Sequence, residues 1–434
     1  MGHRRVRLAS ICFARTAAPS GPSLGVRNGL TAPVACEEEQ EIIVQRNMRT
    51  WRRRLSALSF LTGFAIAAAP VSTARCANGL PDDGSFFPIA VWLQSPTHAT
   101  EYRAIGVNLY LGLDNGPTEE QLAVLSPNGM FVIANQNQVG LTSKNRGVIK
   151  GWLYERDEPD NAQPIGGGRY GPCVPAAEVA QRVREIKSRD PTRPVMVGFG
   201  QAVADPHWVG RGSCTGDMGY YEIARQGADI VGFDIYPVGS DSPEVKGKLE
   251  YVAHGVDFLR EKAPAGQAVW NAIETTALDP AHPVRPDQVR SEVWMSIIHG
   301  SAGIVYFVHE FKPIFGENAI FRHPDVVDGV RATNKLIENL APVLNSKTVD
   351  GRVATTSAEP ISTMVKEYGS AIYLFAVVMN QRPTDARFKL GGVRDGVAEV
   401  LGEYRRVPVL NGVIEDHFVG YGVHIYKMPV APGE

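Results

Sequence analysis

Two short apolar runs in this chain end in glutamate. The first is Gly151-Trp152-Leu153-Tyr154-Glu155-Arg156-Asp157-Glu158-Pro159. The second is Val269-Trp270-Asn271-Ala272-Ile273-Glu274-Thr275-Thr276. A carboxylate at the end of a buried strand costs several kcal/mol unless it is paired, so packing alone rarely selects one. In a barrel of parallel strands, the C-terminal strand ends are where side chains meet a ligand. Two carboxyls held across one bond suit glycoside cleavage. One protonates the leaving oxygen, and the other attacks the anomeric carbon or activates a water. A gap of about 5–5.5 Å gives retention, and about 6.5–9.5 Å gives inversion.

Positioning two such groups requires a sheet, and the sequence supplies one. Apolar runs near residues 87–93, 106–111, 130–135, 148–154, 194–199, 230–236, 267–273 and 302–307 read as eight strands. Between them, residues 118–125, 175–188, 220–226, 245–262 and 286–300 carry apolar positions at helical spacing. Continuous apolar strands alternating with helices predict a parallel sheet, here a (β/α)8 TIM barrel over residues 85–345. An open doubly wound sheet is the alternative, but its usual Gly-rich first turn is absent. After Asn345 the pattern changes to short strands around Val353, Met364, Ala371–Val378, Arg387–Leu390, Val397–Val400 and Val423–Tyr426. Gly, Pro and Asp turns join them, which predicts a small C-terminal antiparallel β-sandwich over residues 349–430.

In this arrangement the chain resembles the retaining glycoside hydrolases of clan A, the 4/7 superfamily. Gly151-Trp152 with Asp157-Glu158-Pro159 resembles the site after strand four. Trp270-Asn271-Ala272-Ile273-Glu274 resembles the end of strand seven, and Phe233-Asp234-Ile235-Tyr236-Pro237 resembles strand six. The resemblance covers about residues 85–430. It implies Glu158 as acid/base, Glu274 as nucleophile, and Tyr236 as the residue that orients the nucleophile. Two departures stand out. Asp157 occupies a position that is usually Asn, which adds negative charge beside the acid. Glu158 also lies one residue further from Trp152 than the pattern expects. Either a bulge absorbs that residue or Glu155 faces inward instead.

Further candidates for substrate binding are Asp157 and Asp234, with Asn135 and Gln136 at the end of strand three and Trp92 at the end of strand one. Tyr306, His309 and Glu310 at the end of strand eight complete the set. Aromatic faces there can stack against sugar rings. The expected partner is an oligo- or polysaccharide, and no metal or cofactor is needed. His207, His299 and His309 do not form the strand-end cluster that a metal-dependent hydrolase requires. The rival from a different class is a non-catalytic carbohydrate-binding protein or cell-envelope scaffold.

The whole chain has 434 residues, a net charge of −2 and 44% hydrophobic residues. That composition is globular, and near-neutral charge argues against nucleic-acid binding. Met48-Arg49-Thr50-Trp51-Arg52-Arg53-Arg54 followed by the apolar stretch Leu55–Val71 reads as a secretory signal over residues 48–74. Ser72-Thr73-Ala74 offers the cleavage site; membrane contact is expected only if this segment stays uncleaved. Residues 1–47 read as an upstream extension outside the native chain, with Met48 as the start. An exported, periplasmic or extracellular protein meets oxidising conditions, so a Cys173–Cys214 disulfide is expected.

Overall fold

Apolar, β-branched runs form eight short parallel strands, and these close on themselves. They are β1 (Ile89–Trp92), β2 (Leu109–Leu111), β3 (Phe131–Asn135) and β4 (Ile149–Leu153), then β5 (Val195–Phe199), β6 (Ile230–Asp234), β7 (Ala268–Glu274) and β8 (Ile304–Phe307). Each pairs with its neighbour in sequence, and β8 pairs with β1 to complete the barrel. The computed structural model describes residues 79–431, apart from 209, 211–215 and 279. The expected extension, the signal segment and Cys214 lie outside the described residues.

Strand alternation divides the side chains into two layers. Ala90, Leu109, Leu111, Ile133, Leu153, Met196, Ile230, Trp270 and Val305 fill the barrel interior. The intervening residues, such as Val91, Val132, Val231 and Ile273, pack outward in the core shared with the helices. The outer layer comprises α1 (Ala99–Ala104), α2 (Glu119–Leu125), α3 (Gln138–Thr142), α4 (Ala176–Arg189), α5 (Tyr220–Ala224), α6 (Tyr251–Glu261), α7 (Pro286–Ile298) and α8 (Pro324–Leu344). Helix α2 begins in a capping box in which Thr118 and Gln121 satisfy each other's backbone N–H.

The 21-residue α8 was not among the helices expected from sequence. Its buried Val326, Val330, Ile337 and Leu340 do carry a helical period. Alternation also corrects one site expectation. Val305 lies in the interior layer, so Tyr306 points the opposite way, and its hydroxyl donates to Asn334 Oδ1 of α8 at 2.7 Å. Tyr306 faces the helix layer and not the barrel mouth.

Eight antiparallel strands follow α8. They are β9 (Val353–Ser357), β10 (Ile361–Tyr368), β11 (Ala371–Val378), β12 (Thr384–Leu390), β13 (Gly396–Val400), β14 (Arg405–Val409), β15 (Val413–Phe418) and β16 (Val423–Pro429). They form a three-stranded sheet, β9-β12-β15, and a five-stranded sheet, β10-β11-β16-β13-β14. Leu374, Phe388, Val400, Ile414, Phe418 and Tyr426 fill the space between the sheets. The other face of β11 and β16 joins the barrel's outer core through Phe375, Val377 and Ile425. Trp294 of α7 packs against Phe375 with ring centroids 5.8 Å apart. The sequence reading lacked β14 and β15, whose charged residues interrupt the apolar signal.

Candidate active site

The loop after β4 and the ends of β6 and β7 carry carboxyl groups at the C-terminal end of the barrel. On β7, Trp270 and Ala272 face the interior, so Glu274 two residues on shares their face. On β6, Asp234 follows Ile230 by four residues on the interior face, and it pairs in register with Ala272. Asp234 and Glu274 therefore stand one inward step apart on adjacent strands.

Glu158 reaches the mouth differently. Strand β4 ends at Leu153, and the ladder extends only as far as the Tyr154 N–H bond to Met196 O. Glu158 lies in the following loop with φ of 45°, the left-handed region. For a residue with a Cβ that conformation costs about 1–2 kcal/mol. The loop holds it there. Glu158 O accepts from Asn161 N and from Gln163 Nε2, both at 2.9 Å, and Glu158 Oε2 accepts from Asn161 Nδ2 at 2.9 Å. The additional residue in the Trp152–Glu158 spacing is thus absorbed in a tight loop turn. The register shift in this part of the sheet lies further back, beside Val132 and Ile133. Glu155, the alternative acid, is exposed and pairs with Arg182 of α4 at 2.6 Å.

Gly200, just past β5, provides the floor under Glu158. A Cβ there would lie 3.2 Å from Glu158 Cδ and 3.3 Å from Cγ. The Gly200 N–H donates to Asp160 Oδ1 at 2.9 Å, and Tyr221 OH donates to Asp160 Oδ2 at 2.8 Å. Asp160, which sequence reasoning missed, thereby ties the Glu158 loop to the end of β5 and to α5. Burial raises its carboxyl to about 6, with Glu158 adding to the rise and the Gly200 and Tyr221 bonds opposing it. The signal for Asp160 was present in Asp157-Glu158-Pro159-Asp160, but only the fold reveals which acid turns inward.

Asp234 is the electrostatic centre of this group. Burial lifts its carboxyl well above the ordinary range, and the nearby Glu158 and Asp157 carboxylates lift it further. Burial, followed by the nearby Asp234 carboxylate, raises the Tyr236 phenol. The resemblance led to the expectation that Tyr236 would orient Glu274. The hydrogen bonds that Glu274 accepts come from the Val238 and Gly239 amides, and the carboxylate that acts on the Tyr236 phenol is that of Asp234.

Glu274 is held by backbone. Its Oε1 accepts from Val238 N at 2.6 Å and its Oε2 from Gly239 N at 2.9 Å, and the side chain is fully buried. Burial raises its carboxyl to about 8, and the two amides oppose the rise. Glu292 of α7 is also fully buried, and its carboxyl is raised first by burial and then by Glu274. In the sequence Glu292 is only one polar residue within the helix expected over residues 286–300.

The remaining candidates divide. Trp92 and Asn135 follow interior-facing residues of β1 and β3 and stand half-buried at the mouth. Asp157 is exposed beside Glu158. His309 is buried, accepts at Nε2 from Gln94 Nε2 at 3.1 Å, and is held down to about 4 by burial, hence neutral. Gln136 turns outward and donates to Ile186 O of α4 at 3.0 Å. Glu310 is engaged by its own loop, with His323 Nε2 at 2.5 Å and Arg322 Nη1 at 3.5 Å. For Gln136 and Glu310 these partners replace the expected sugar contacts. Among the described residues, no group of three His, Cys, Asp or Glu is placed to hold a metal.

No family model matches the chain, and no curated protein matches it. Solved structures do align with it. An α-amylase of Anoxybacillus aligns over 82% of this chain and 100% of its own, at 10% identity and a TM-score of 0.49. An α-L-arabinofuranosidase of Thermotoga maritima, solved with arabinose, aligns over 80% of this chain and 97% of its own, at 10% identity and a TM-score of 0.47. A family 30 subfamily 8 xylanase of Clostridium acetobutylicum aligns over 79% and 96%, at 11% identity and a TM-score of 0.40. Similarity at this level assigns no activity to the chain.

Proposed function

We propose that the chain is a glycoside hydrolase in which Glu158 is the acid/base. The observation that carries the reading is the set of carboxyls in the loop after β4 and at the ends of β6 and β7 of a closed parallel barrel, several with raised proton affinity. Of two such carboxyls, one protonates the leaving oxygen and the other, ionised, attacks the sugar; burial raises Glu274 to about 8, so it serves as nucleophile only after giving up its proton. The first reading is a retaining double displacement on a β-glycoside. Glu158 protonates the leaving oxygen and then deprotonates water, while Glu274 forms the glycosyl-enzyme. The amides of Val238 and Gly239 support that role, because donors aimed at both oxygens hold a carboxylate in one orientation.

One observation favours a second reading. Glu274 is sealed from solvent, whereas Asp234 is only half-buried and responds to the charge of Glu158. In that reading Asp234 is the partner of Glu158, and Glu274 anchors the loop after β6. A screen of aryl glycosides with the wild type, Glu158→Ala, Glu274→Ala and Asp234→Ala tests both. Activity that survives in Glu158→Ala on poor leaving groups removes Glu158 from the acid role, and a wild type that turns over none of the aryl glycosides refutes the hydrolase assignment.

Export belongs to the same reading, through the segment 48–74 and a Cys173–Cys214 disulfide. Mass before and after reduction, together with the N-terminal sequence of protein secreted by the native host, tests it.

A further inference from the structure

The loop after β8 carries apolar rings from the candidate site out to solvent. Tyr236 lies 5.1 Å from Phe307, and Phe307 lies 5.2 Å from His309 and 6.2 Å from Phe311, measured between ring centroids. Phe315 closes the series, 5.9 Å from Phe311 and 6.1 Å from His309. The inner end is buried, but the outer end is open. Phe315 is 42% exposed and its neighbour Ile314 is 72% exposed.

The loop is built to hold this shape. The Glu310 and Gly316 backbones exchange hydrogen bonds of 3.0 and 2.9 Å, which closes its base. The Arg322 guanidinium packs onto Gly316, where an added Cβ would approach it to 2.6 Å, and Arg322 also pairs with Glu310. An apolar tip on a fixed base, continuous with a buried polar site, is the kind of exposed apolar surface that marks a binding region. Its composition restricts the ligand. The tip Phe311-Lys312-Pro313-Ile314-Phe315 offers one polar side chain. The ring nitrogen of His309 nearest Gln94 is already engaged. A further sugar ring would bring several hydroxyls that need partners, and leaving them unpaired is costly.

We propose that this loop forms a subsite for an apolar aglycone, so that the substrate is the glycoside of an alkyl or aryl alcohol and not an internal link of a polysaccharide. The proposal rests on the glycosidase reading for the direction of the sugar, which lies toward Asp234 and Glu158, with the aglycone running outward along the rings.

The test measures binding of methyl, butyl, hexyl and octyl β-D-glucosides and β-D-galactosides below their micelle concentrations, by calorimetry. The protein is the wild type or the Ile314→Ser/Phe315→Ser double variant; neither position belongs to the carboxylate group. Each methylene buried on the ring series tightens binding by roughly fourfold, about 0.8 kcal/mol. The octyl glycoside therefore binds the wild type at least tenfold tighter than the methyl one, and the double variant loses that advantage with an unchanged melting temperature. An affinity independent of chain length overturns the proposal, as does a chain-length preference that survives in the double variant. Loss of phosphatidylcholine-vesicle binding in the double variant, with no chain-length effect, assigns the tip to a lipid surface and also overturns it. A chain-length preference in a protein that hydrolyses none of these glycosides keeps the apolar subsite and sinks only the hydrolase reading.

Discussion

The two glutamates that the sequence singles out are held by opposite physics. Around Glu158, at the β4 and β6 ends, carboxyls face carboxyls: Asp157 and Glu158 both raise the proton affinity of Asp234, and Glu158 also raises that of Asp160. The backbone there is left-handed, and Glu158 is only half-buried. Around Glu274, at the β7 end, two backbone amides clamp both oxygens and solvent is excluded. A crowded, partly open cluster is within reach of a ligand. A sealed, amide-bound carboxyl is precise in position, and a ligand reaches it only if the loop carrying Val238 and Gly239 yields. The contrast shows that two acids that look alike in sequence need not be equivalent in accessibility.

The sharpest way to break the comparison is to remove each partner carboxyl. If Glu274 is the nucleophile, Glu274→Ala abolishes hydrolysis of an activated aryl glycoside and azide restores part of it as a glycosyl azide, while Asp234→Ala retains measurable turnover without azide. The reverse pattern transfers the role to Asp234. Product analysis by NMR reads both outcomes.

Glu158→Gln is expected to have the next largest effect. Losing a general acid lowers the rate by roughly 10²–10⁴-fold. The loss should be greatest for alkoxide leaving groups and small for a dinitrophenolate, which departs without a proton. Steady-state kinetics on a leaving-group series checks this. An equal loss across the series removes Glu158 from the acid role.

Stability against pH sharpens the difference between the two regions. Folding raises Glu274 from 4.5 to about 8 and Asp160 from 3.8 to about 6. Between its unfolded and folded values, each group binds more proton in the folded state, so stability falls as pH rises through that window. Asp160 therefore weakens the fold between about pH 4 and 6, and Glu274 between about 4.5 and 8. Asp160→Asn should flatten the melting temperature over the lower window alone, and Glu274→Gln over the wider one. Calorimetric scans from pH 4 to 9 give the comparison, and an unchanged slope in both variants contradicts it.

Much of this arrangement was legible in the sequence, and the exceptions have physical causes. Eight apolar runs gave the barrel because buried parallel strands need no polar alternation. Glu158, Asp234 and Glu274 were legible as acids at strand ends. Which way a side chain turns beyond a strand was not, because alternation stops where the ladder stops. Gln136 lies one residue past β3 and bonds to α4, whereas Asn135 inside β3 faces the mouth. Tyr306 lies inside β8, and there the parity of Val305 and Phe307 would have decided its direction. Asp160 and Glu292 were hidden for another reason. An acid in a loop or on a helix looks like a solvated one until the packing partner is known.

Gly200 offers the smallest and most specific perturbation. Its φ of −89° suits any residue, so a methyl group there does not strain the backbone. The space is nonetheless occupied: the added Cβ would lie 3.2 Å from Glu158 Cδ. Glu158 must then shift by a few tenths of an ångström, and its own left-handed backbone leaves it little freedom to follow. Misplacing a reacting group by about 1 Å costs roughly 10²-fold, so a smaller shift should lower kcat by roughly 3–10-fold. The Asp160 bond to the Gly200 N–H involves only backbone at residue 200 and survives the substitution, so the melting temperature should stay close to that of the wild type. Gly200→Ala thus separates position from stability in the open cluster. A fall in melting temperature with unchanged kcat would mean that Glu158 is held for the sake of the fold rather than for chemistry.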